Sequence, residues 1–150
     1  MKNQNLQIQE KHIIQIKITG AKDLDPITVY IDEWEDKIPD KTRYQGRITI
    51  LCYGVALNYF WNAIGEPMRE FFITASTGYI ADKFELNARE TFKPQAYEVE
   101  FDGFGNFKKV QADDIQIEMS EHHREYICKI IETVKDAFRQ QLKEQSDGRI

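Results

Sequence analysis

Between His12 and Thr19 the chain alternates strictly, with Ile14, Ile16 and Ile18 on one side and Gln15, Lys17 and Thr19 on the other. A period of two predicts a half-buried strand. Gly20 to Pro26 interrupts the pattern as a turn, and Asp25-Pro26 restricts the backbone ahead of the next element. Ile27, Val29 and Ile31 then alternate with Thr28, Tyr30 and Asp32, which predicts a second strand. A third follows in Ile48, Ile50 and Cys52, set against Arg47, Thr49, Leu51 and Tyr53. Its second face is mixed, so covering on both sides is expected, and an antiparallel meander is the simplest connection. Residues 33–45 read as a long loop in which Trp34, Ile38, Pro39 and Tyr44 stand among charges. Loops of that length tend to be functional or mobile. Its aromatic residues are expected to tuck the loop against the body, with a contact surface as the alternative.

The run from Gly54 to Ile64 is expected to be a short buried helix closed by Gly65. Pro67 suits the first turn of a second helix carrying Met68, Phe71 and Phe72. Ser76 or Thr77 is placed to cap a third, through Tyr79, Ile80 and Phe84. Residues 87–94 read as a connector. Tyr97, Val99 and Phe101 alternate with Glu98 and Glu100, residues 102–106 read as a turn, and Phe107 to Val110 returns as a strand. Ile115, Ile117 and Met119 predict one more strand, and Ser120 the cap of the longest helix, about residues 121–144. Ile127, Ile130, Ile131, Val134, Phe138 and Leu142 keep helical spacing there. The fold class is α+β: an antiparallel meander of three or more strands packed against short helices and a long C-terminal helix. The expected organisation is a flexible segment 1–10, a single domain 11–144 and a flexible segment 145–150.

Composition narrows the function classes. The chain has 150 residues, enough for one core without staples, and 41% hydrophobic with 30% charged content fits a globular protein. No apolar run reaches the roughly 18 residues of a membrane span. Residues 1–7 lack the apolar centre of a secretory signal, so a cytoplasm, bacterial or host, is the expected location. The two cysteines, Cys52 and Cys128, sit in apolar settings and read as reduced core thiols. The net charge of −5 disfavours nucleic acid unless a basic face is local. Acidic residues gather at Asp23, Asp25, Asp32, Glu33, Glu35 and Asp36, a solvated edge or a surface presented to a basic partner.

No catalytic set emerges. Neighbouring His122 and His123 point about 100° apart on a helix and lack the spacing of three or four that zinc pairs use. Neither cysteine has a base nearby in the sequence, and no Gly-x-Ser-x-Gly elbow occurs. Gly103-Phe104-Gly105 lacks the third glycine and the Lys-Ser/Thr pair of a phosphate loop, and its context is a hairpin turn. No cofactor and no metal is expected. Basic residues beside aromatics leave one alternative: Arg43 and Arg47 bracket Tyr44, and Lys108 and Lys109 neighbour Phe104 and Phe107. The clusters Tyr59-Phe60-Trp61 and Phe71-Phe72 are read as core.

Leu24-Asp25-Pro26-Ile27-Thr28-Val29-Tyr30 and Gly46-Arg47-Ile48-Thr49-Ile50-Leu51-Cys52-Tyr53-Gly54, with Phe60-Trp61, Ile64-Gly65, Glu70-Phe71-Phe72 and Tyr79-Ile80-Ala81, carry a resemblance. Over about residues 22–86 the chain resembles a family of small proteins encoded in bacteriophages and prophages of Gram-negative bacteria. The loop at 33–45 looks longer than in that family, and residues 87–119 look like an added segment. The resemblance implies a phage context and carries no activity or site residue with it. In that context the expectation is a non-enzymatic accessory protein that binds a host or phage protein, in the manner of an anti-CRISPR inhibitor of host defence. The residues expected to meet the partner are Asp32, Glu33, Trp34, Glu35, Asp36, Tyr44 and Phe104. The alternative is a nucleic-acid-binding accessory of phage replication or recombination, using Arg43, Arg47, Lys108 and Lys109. The apolar stripe of the last helix can be satisfied by its own sheet or by a second copy, so a homodimer is compatible with the pattern.

Overall fold

The computed structural model describes residues 5–91, 98–101, 107–110 and 121–148. The chain divides into two compact units, Met1–Phe71 and Phe72–Ile150. The fold class is α+β, as the hydrophobic pattern predicts.

The first unit is an antiparallel sheet in the order β1-β2-β3-β4, a plain meander. Its strands are β1 (Ile14–Ile18), β2 (Ile27–Ile38), β3 (Lys41–Cys52) and β4 (Val55–Ile64). Between β1 and β2 the turn places Gly20 at φ 85° and Asp23 at φ 61°, with the Leu24 amide donating to the Ala21 carbonyl at 3.3 Å. The alternation of Ile27, Val29 and Ile31 on β2 is matched in register by Cys52, Ile50 and Ile48 on β3, and all six are buried.

Two expectations fail in this unit. Residues 33–45 are not a loop: β2 and β3 stay paired in one register from Ile27↔Cys52 out to Ile38↔Lys41, and Pro39-Asp40 alone make the turn. From Glu33 to Ile38 every residue of β2 is exposed, so this end of the hairpin has no buried face to impose an apolar period. Gly54 to Ile64 is not a helix either, but strand β4. Tyr53 takes φ 51°, the Tyr53-Gly54 loop folds the chain straight back, and Cys52 pairs with Val55. Ten residues rich in β-branched and aromatic side chains pair more readily than they coil. Gly65 accordingly ends a strand and does not cap a helix.

A register shift between Tyr44 and Gly46 bends the pairing of β3 with β4. There Gly46 has no room for a side chain: a Cβ would lie 2.6 Å from the Met68 Cε and 3.3 Å from both the Asp32 carbonyl oxygen and the Glu33 Cβ. Met68, fully buried, opens helix α1 (Met68–Thr74). Its amide donates to the Glu33 carboxylate at 3.0 Å, which satisfies one of the amides a helix start leaves open. Pro67 sits just ahead, and its carbonyl accepts from the Phe71 amide at 2.9 Å. Trp61 is buried and meets Tyr59 and Phe71 edge-on, at 4.6 and 5.3 Å between ring centroids.

The second unit contains α2 (Thr77–Thr91), the hairpin β5 (Glu98–Phe101) and β6 (Phe107–Val110), and α3 (Glu121–Ser146). Ser76 is the cap of α2, accepting on its hydroxyl from the Tyr79 amide at 3.2 Å. The helix runs on to Thr91, through the start of the expected connector. Ile80, Ala81 and Phe84 of α2 are buried, as are Ile127, Ile130, Ile131, Val134 and Phe138 of α3. Phe72 meets Phe138 edge-on at 5.5 Å. Arg124 ties the helices together through Asp82 at 2.8 Å and Glu85 at 3.4 Å, and the hydrogen bond that its guanidinium donates to the Asp82 carboxylate holds it above the ordinary arginine value. α3 closes at Gly148, φ 68°, whose amide donates to the Gln145 carbonyl. The strand expected at 115–119, the cap at Ser120 and the turn with Phe104 lie outside the described residues.

Candidate partner-binding face of the sheet

Side chains alternate across a strand, so the register assigns each residue of the sheet to one of two faces. Ile27, Val29, Ile31, Ile48, Ile50, Leu57 and Trp61 share the buried face. The opposite, outer face carries Gln15 and Lys17 of β1, with Thr28, Tyr30, Asp32, Trp34, Asp36 and Ile38 of β2. From β3 it takes Lys41, Arg43, Gln45, Arg47, Thr49 and Leu51, and from β4 Ala56, Asn58 and Phe60.

Trp34 and Phe60 form the centre of this outer face. Their rings stack with centroids 5.7 Å apart and planes 20° from parallel, and each residue is 39% exposed. Cations stand over both: the Lys11 ammonium lies 5.2 Å from the Trp34 ring and the Arg47 guanidinium 5.6 Å from the Phe60 ring. Contacts of this kind contribute about 0.5–1 kcal/mol each at exposed sites. Lys11 also pairs with Asp32, and Arg43 with Asp36 at 2.7 Å, where Gln45 donates to the same carboxylate oxygen. Toward the edges, Gln15 donates to the Tyr30 hydroxyl at 3.1 Å and the Thr49 hydroxyl donates to the Asn58 carbonyl oxygen at 3.2 Å. Leu51 and Ile38 are the exposed aliphatic residues at either end.

The charge on this face runs against that of the chain. Among the described residues this face sets Lys11, Lys17, Lys41, Arg43 and Arg47 beside Asp32 and Asp36, in a protein of net charge −5. An aromatic centre with a basic surround suits an acidic partner surface with an apolar middle.

The expected partner residues do not form one patch. Asp32, Trp34 and Asp36 lie on the outer face, in contact with the basic residues expected to belong to the other reading. Glu33, Glu35 and Tyr44 lie on the opposite side of the hairpin. Glu33 has an internal role there, holding the start of α1. Arg43 and Arg47 do not flank the Tyr44 ring, because they pair with Asp36 and Asp32 on the outer face while Tyr44 pairs with Glu35 on the opposite one. Phe104 lies outside the described residues, and Lys108 and Lys109 are backbone positions of β6 paired with Glu100 and Val99. Phe60 belongs to the outer face and is not core like its neighbour Trp61. Lys11, Tyr30 and Phe60 are additions of the structure. Continuing the alternation of β2 past Asp32 would have set Trp34 on the face of Tyr30 and Asp32, and reading β4 as a strand would have found Phe60.

Elsewhere, Cys52 is buried and Cys128 half-buried, neither of them in a disulfide, with the Cys52 thiol 3.6 Å from the Asp25 carbonyl oxygen. His122 and His123 are exposed in the first turn of α3. Among the described residues no group of three histidine, cysteine or carboxylate side chains is placed to hold a metal ion. No helix of the described residues is long and apolar enough to cross a membrane.

The profile of a phage family, Phage_phiTE_072, matches residues 6–101, well over half of the chain. The protein belongs to this phage family. The match takes in the whole sheet, α1 and α2, so the Trp34–Phe60 face lies entirely inside the family region. It also runs to residue 101, which brings the start of the segment expected to be an addition, 87–119, within the family. No curated protein and no solved structure matches the chain.

Proposed function

We propose that this phage protein is a non-enzymatic accessory factor that acts by binding a protein partner through the outer face of its sheet. The observation that carries the reading is the exposed Trp34–Phe60 stack held between Lys11 and Arg47. Tryptophan, tyrosine and arginine supply most of the binding energy at protein interfaces, and here Trp34, Tyr30, Arg43 and Arg47 share one face. Rings already ordered by neighbouring cations lose little conformational freedom when a partner covers them. A partner with an acidic rim fits the basic surround. Inhibition of a host defence system, which anti-CRISPR proteins achieve by binding, is the class of action that fits a small phage protein working this way.

The test is retention of a partner from lysate of the phage host. Tagged protein is expected to hold one protein in stoichiometric amount, and Trp34→Ala and Arg47→Glu each to release it, while Glu35→Ala on the other side of the hairpin keeps it. No stoichiometric partner, or equal retention by all variants, would contradict the reading.

The basic surround also favours a second reading, in which a single nucleic-acid strand stacks on the rings and its phosphates meet Arg43, Arg47 and Lys17. It requires a salt-dependent shift with single-stranded DNA that Arg47→Glu weakens. No shift at low salt ends it.

A further inference from the structure

We propose that residues 7–13 form a strap that closes along β2, extending β1 to the tip of the β2–β3 hairpin and completing the outer face around Trp34. The strap is a conformational device of the free chain and holds whatever the face binds. β2 has twelve residues and β1 has five. β1 pairs with Ile27 to Ile31, and among the described residues no strand continues along that side of residues 32–38. Residues 7–13, which lead directly into β1, match that stretch in length. Continuing the β1–β2 register sets Ile13 opposite Asp32, Lys11 opposite Trp34, Gln9 opposite Asp36 and Gln7 opposite Ile38.

The Lys11 side chain already keeps this register. Its ammonium lies 5.2 Å from the Trp34 ring and pairs with Asp32, the opposite and the diagonal neighbour that the closed strap gives it. What stands beside this part of β2 is therefore the chain's own segment, attached by a side chain while its backbone has no regular structure. Its sequence suits a strand. Residues 7–13 hold no glycine or proline, and Leu6 and Ile8 continue backwards the alternation of Ile14, Ile16 and Ile18. Both are exposed.

The same register explains why the strap stands open. It sets Glu10 opposite Glu35, and like charges directly opposite one another oppose pairing. Residues 33–38 of β2 are all exposed, so closing covers no apolar face to offset that repulsion. Closure adds Gln7, Gln9, Lys11 and Ile13 to the outer face. Trp34 then passes from the outermost strand of this half of the sheet to an interior one. The strap thereby sets how wide a surface surrounds the Trp34–Phe60 stack.

Cysteine pairs read the register. Gln7→Cys with Ile38→Cys, in a Cys128→Ser background and dilute solution, is expected to form an intramolecular disulfide on mild oxidation. Opposite Cα atoms in an antiparallel pair stand about 4.5–5.5 Å apart, within disulfide reach. Ile8→Cys with Ile38→Cys, one residue out of register and on the other face, is expected to close about tenfold more slowly. Glu10→Lys, which sets an ammonium against Glu35, is expected to speed the first cross-link. All four positions are exposed, so the variants leave the core intact. Equal rates for the two cysteine pairs, no cross-link from either, or a first rate that Glu10→Lys leaves unchanged would overturn the proposal.

Discussion

Trp34 on β2 and Phe60 on β4 stack across the strand that separates them, with ring centroids 5.7 Å apart. The contact spans Gln45 and Arg47 of β3, so a single ring pair ties three strands together on the side of the sheet that faces water. A surface contact of this kind has an energetic signature that can be measured without any partner. A double-mutant cycle with Trp34→Ala and Phe60→Ala, read by urea denaturation, is expected to give a coupling of about 0.5–1.5 kcal/mol. A coupling of zero would mean that the two rings do not meet in solution.

Gly46 and Met68 form a tighter lock. A methyl group at position 46 would collide with the end of a fully buried methionine side chain, close against the backbone of β2. Gly46→Ala is expected to destabilise the chain by about 1–3 kcal/mol, the range for overpacking a filled site. Adding Met68→Ala removes the obstructing atoms, so the double variant should lose less than the sum of the two single losses. Strict additivity would place the strain elsewhere.

Glu33 is worth separating from the acidic residues beside it. Because it accepts from the Met68 amide, Glu33→Ala is expected to lower stability by about 0.5–2 kcal/mol, as loss of a helix cap does. Glu35→Ala, one turn of the pleat away and exposed, should stay within about 0.5 kcal/mol of the wild type. Thermal melts of the two variants distinguish the roles.

Lys135 is the one buried charged side chain among the described residues, 4% exposed, with its ammonium on the Ala75 carbonyl. Burial pulls its pKa below the ordinary lysine value, Glu132 opposes the shift and Arg139 adds to it. The folded chain therefore binds this proton less tightly than the unfolded chain does. The penalty is present at neutral pH and fades as pH rises from the lowered folded value toward the ordinary one. Lys135→Met removes that dependence. The stability of the variant relative to wild type is expected to fall between pH 7 and pH 10, measured by denaturant titration at both. A difference that does not move with pH would contradict the assignment.

How much of this could be read from the chain depends on where a buried face exists. The alternation of Ile14 to Ile18 and of Ile27 to Ile31 and the stripe from Ile127 to Phe138 follow from burial on one side, and each was legible, while the cap of α2 was narrowed to Ser76 or Thr77 by the reach of a hydroxyl to a helix-start amide. The end of the β2–β3 hairpin was not, because both of its faces meet solvent and charge alone carries no period. The run Val55–Ile64 is ambiguous for another reason. Its apolar density suits a buried helix as well as a strand, and only the aromatic content and the neighbouring two-residue loop decide between them. That one ambiguity hid the place of Phe60 beside Trp34. As a helix, the segment makes Phe60 core with Trp61; as a strand, it sends them to opposite faces. The approach of Lys11 to Trp34 is a contact 23 positions apart in the chain, with no local signal to announce it.

Photo-crosslinking from the two sides of the hairpin tests the central claim most directly. A photoreactive amino acid at Gln45, on the outer face beside Trp34, and at Glu35, on the opposite side, would be introduced into the chain expressed in phage-infected host cells. The outer position is expected to trap one protein as a discrete adduct, and the opposite position to trap none. Adducts from Glu35 alone, or none from Gln45, would contradict binding through the outer face.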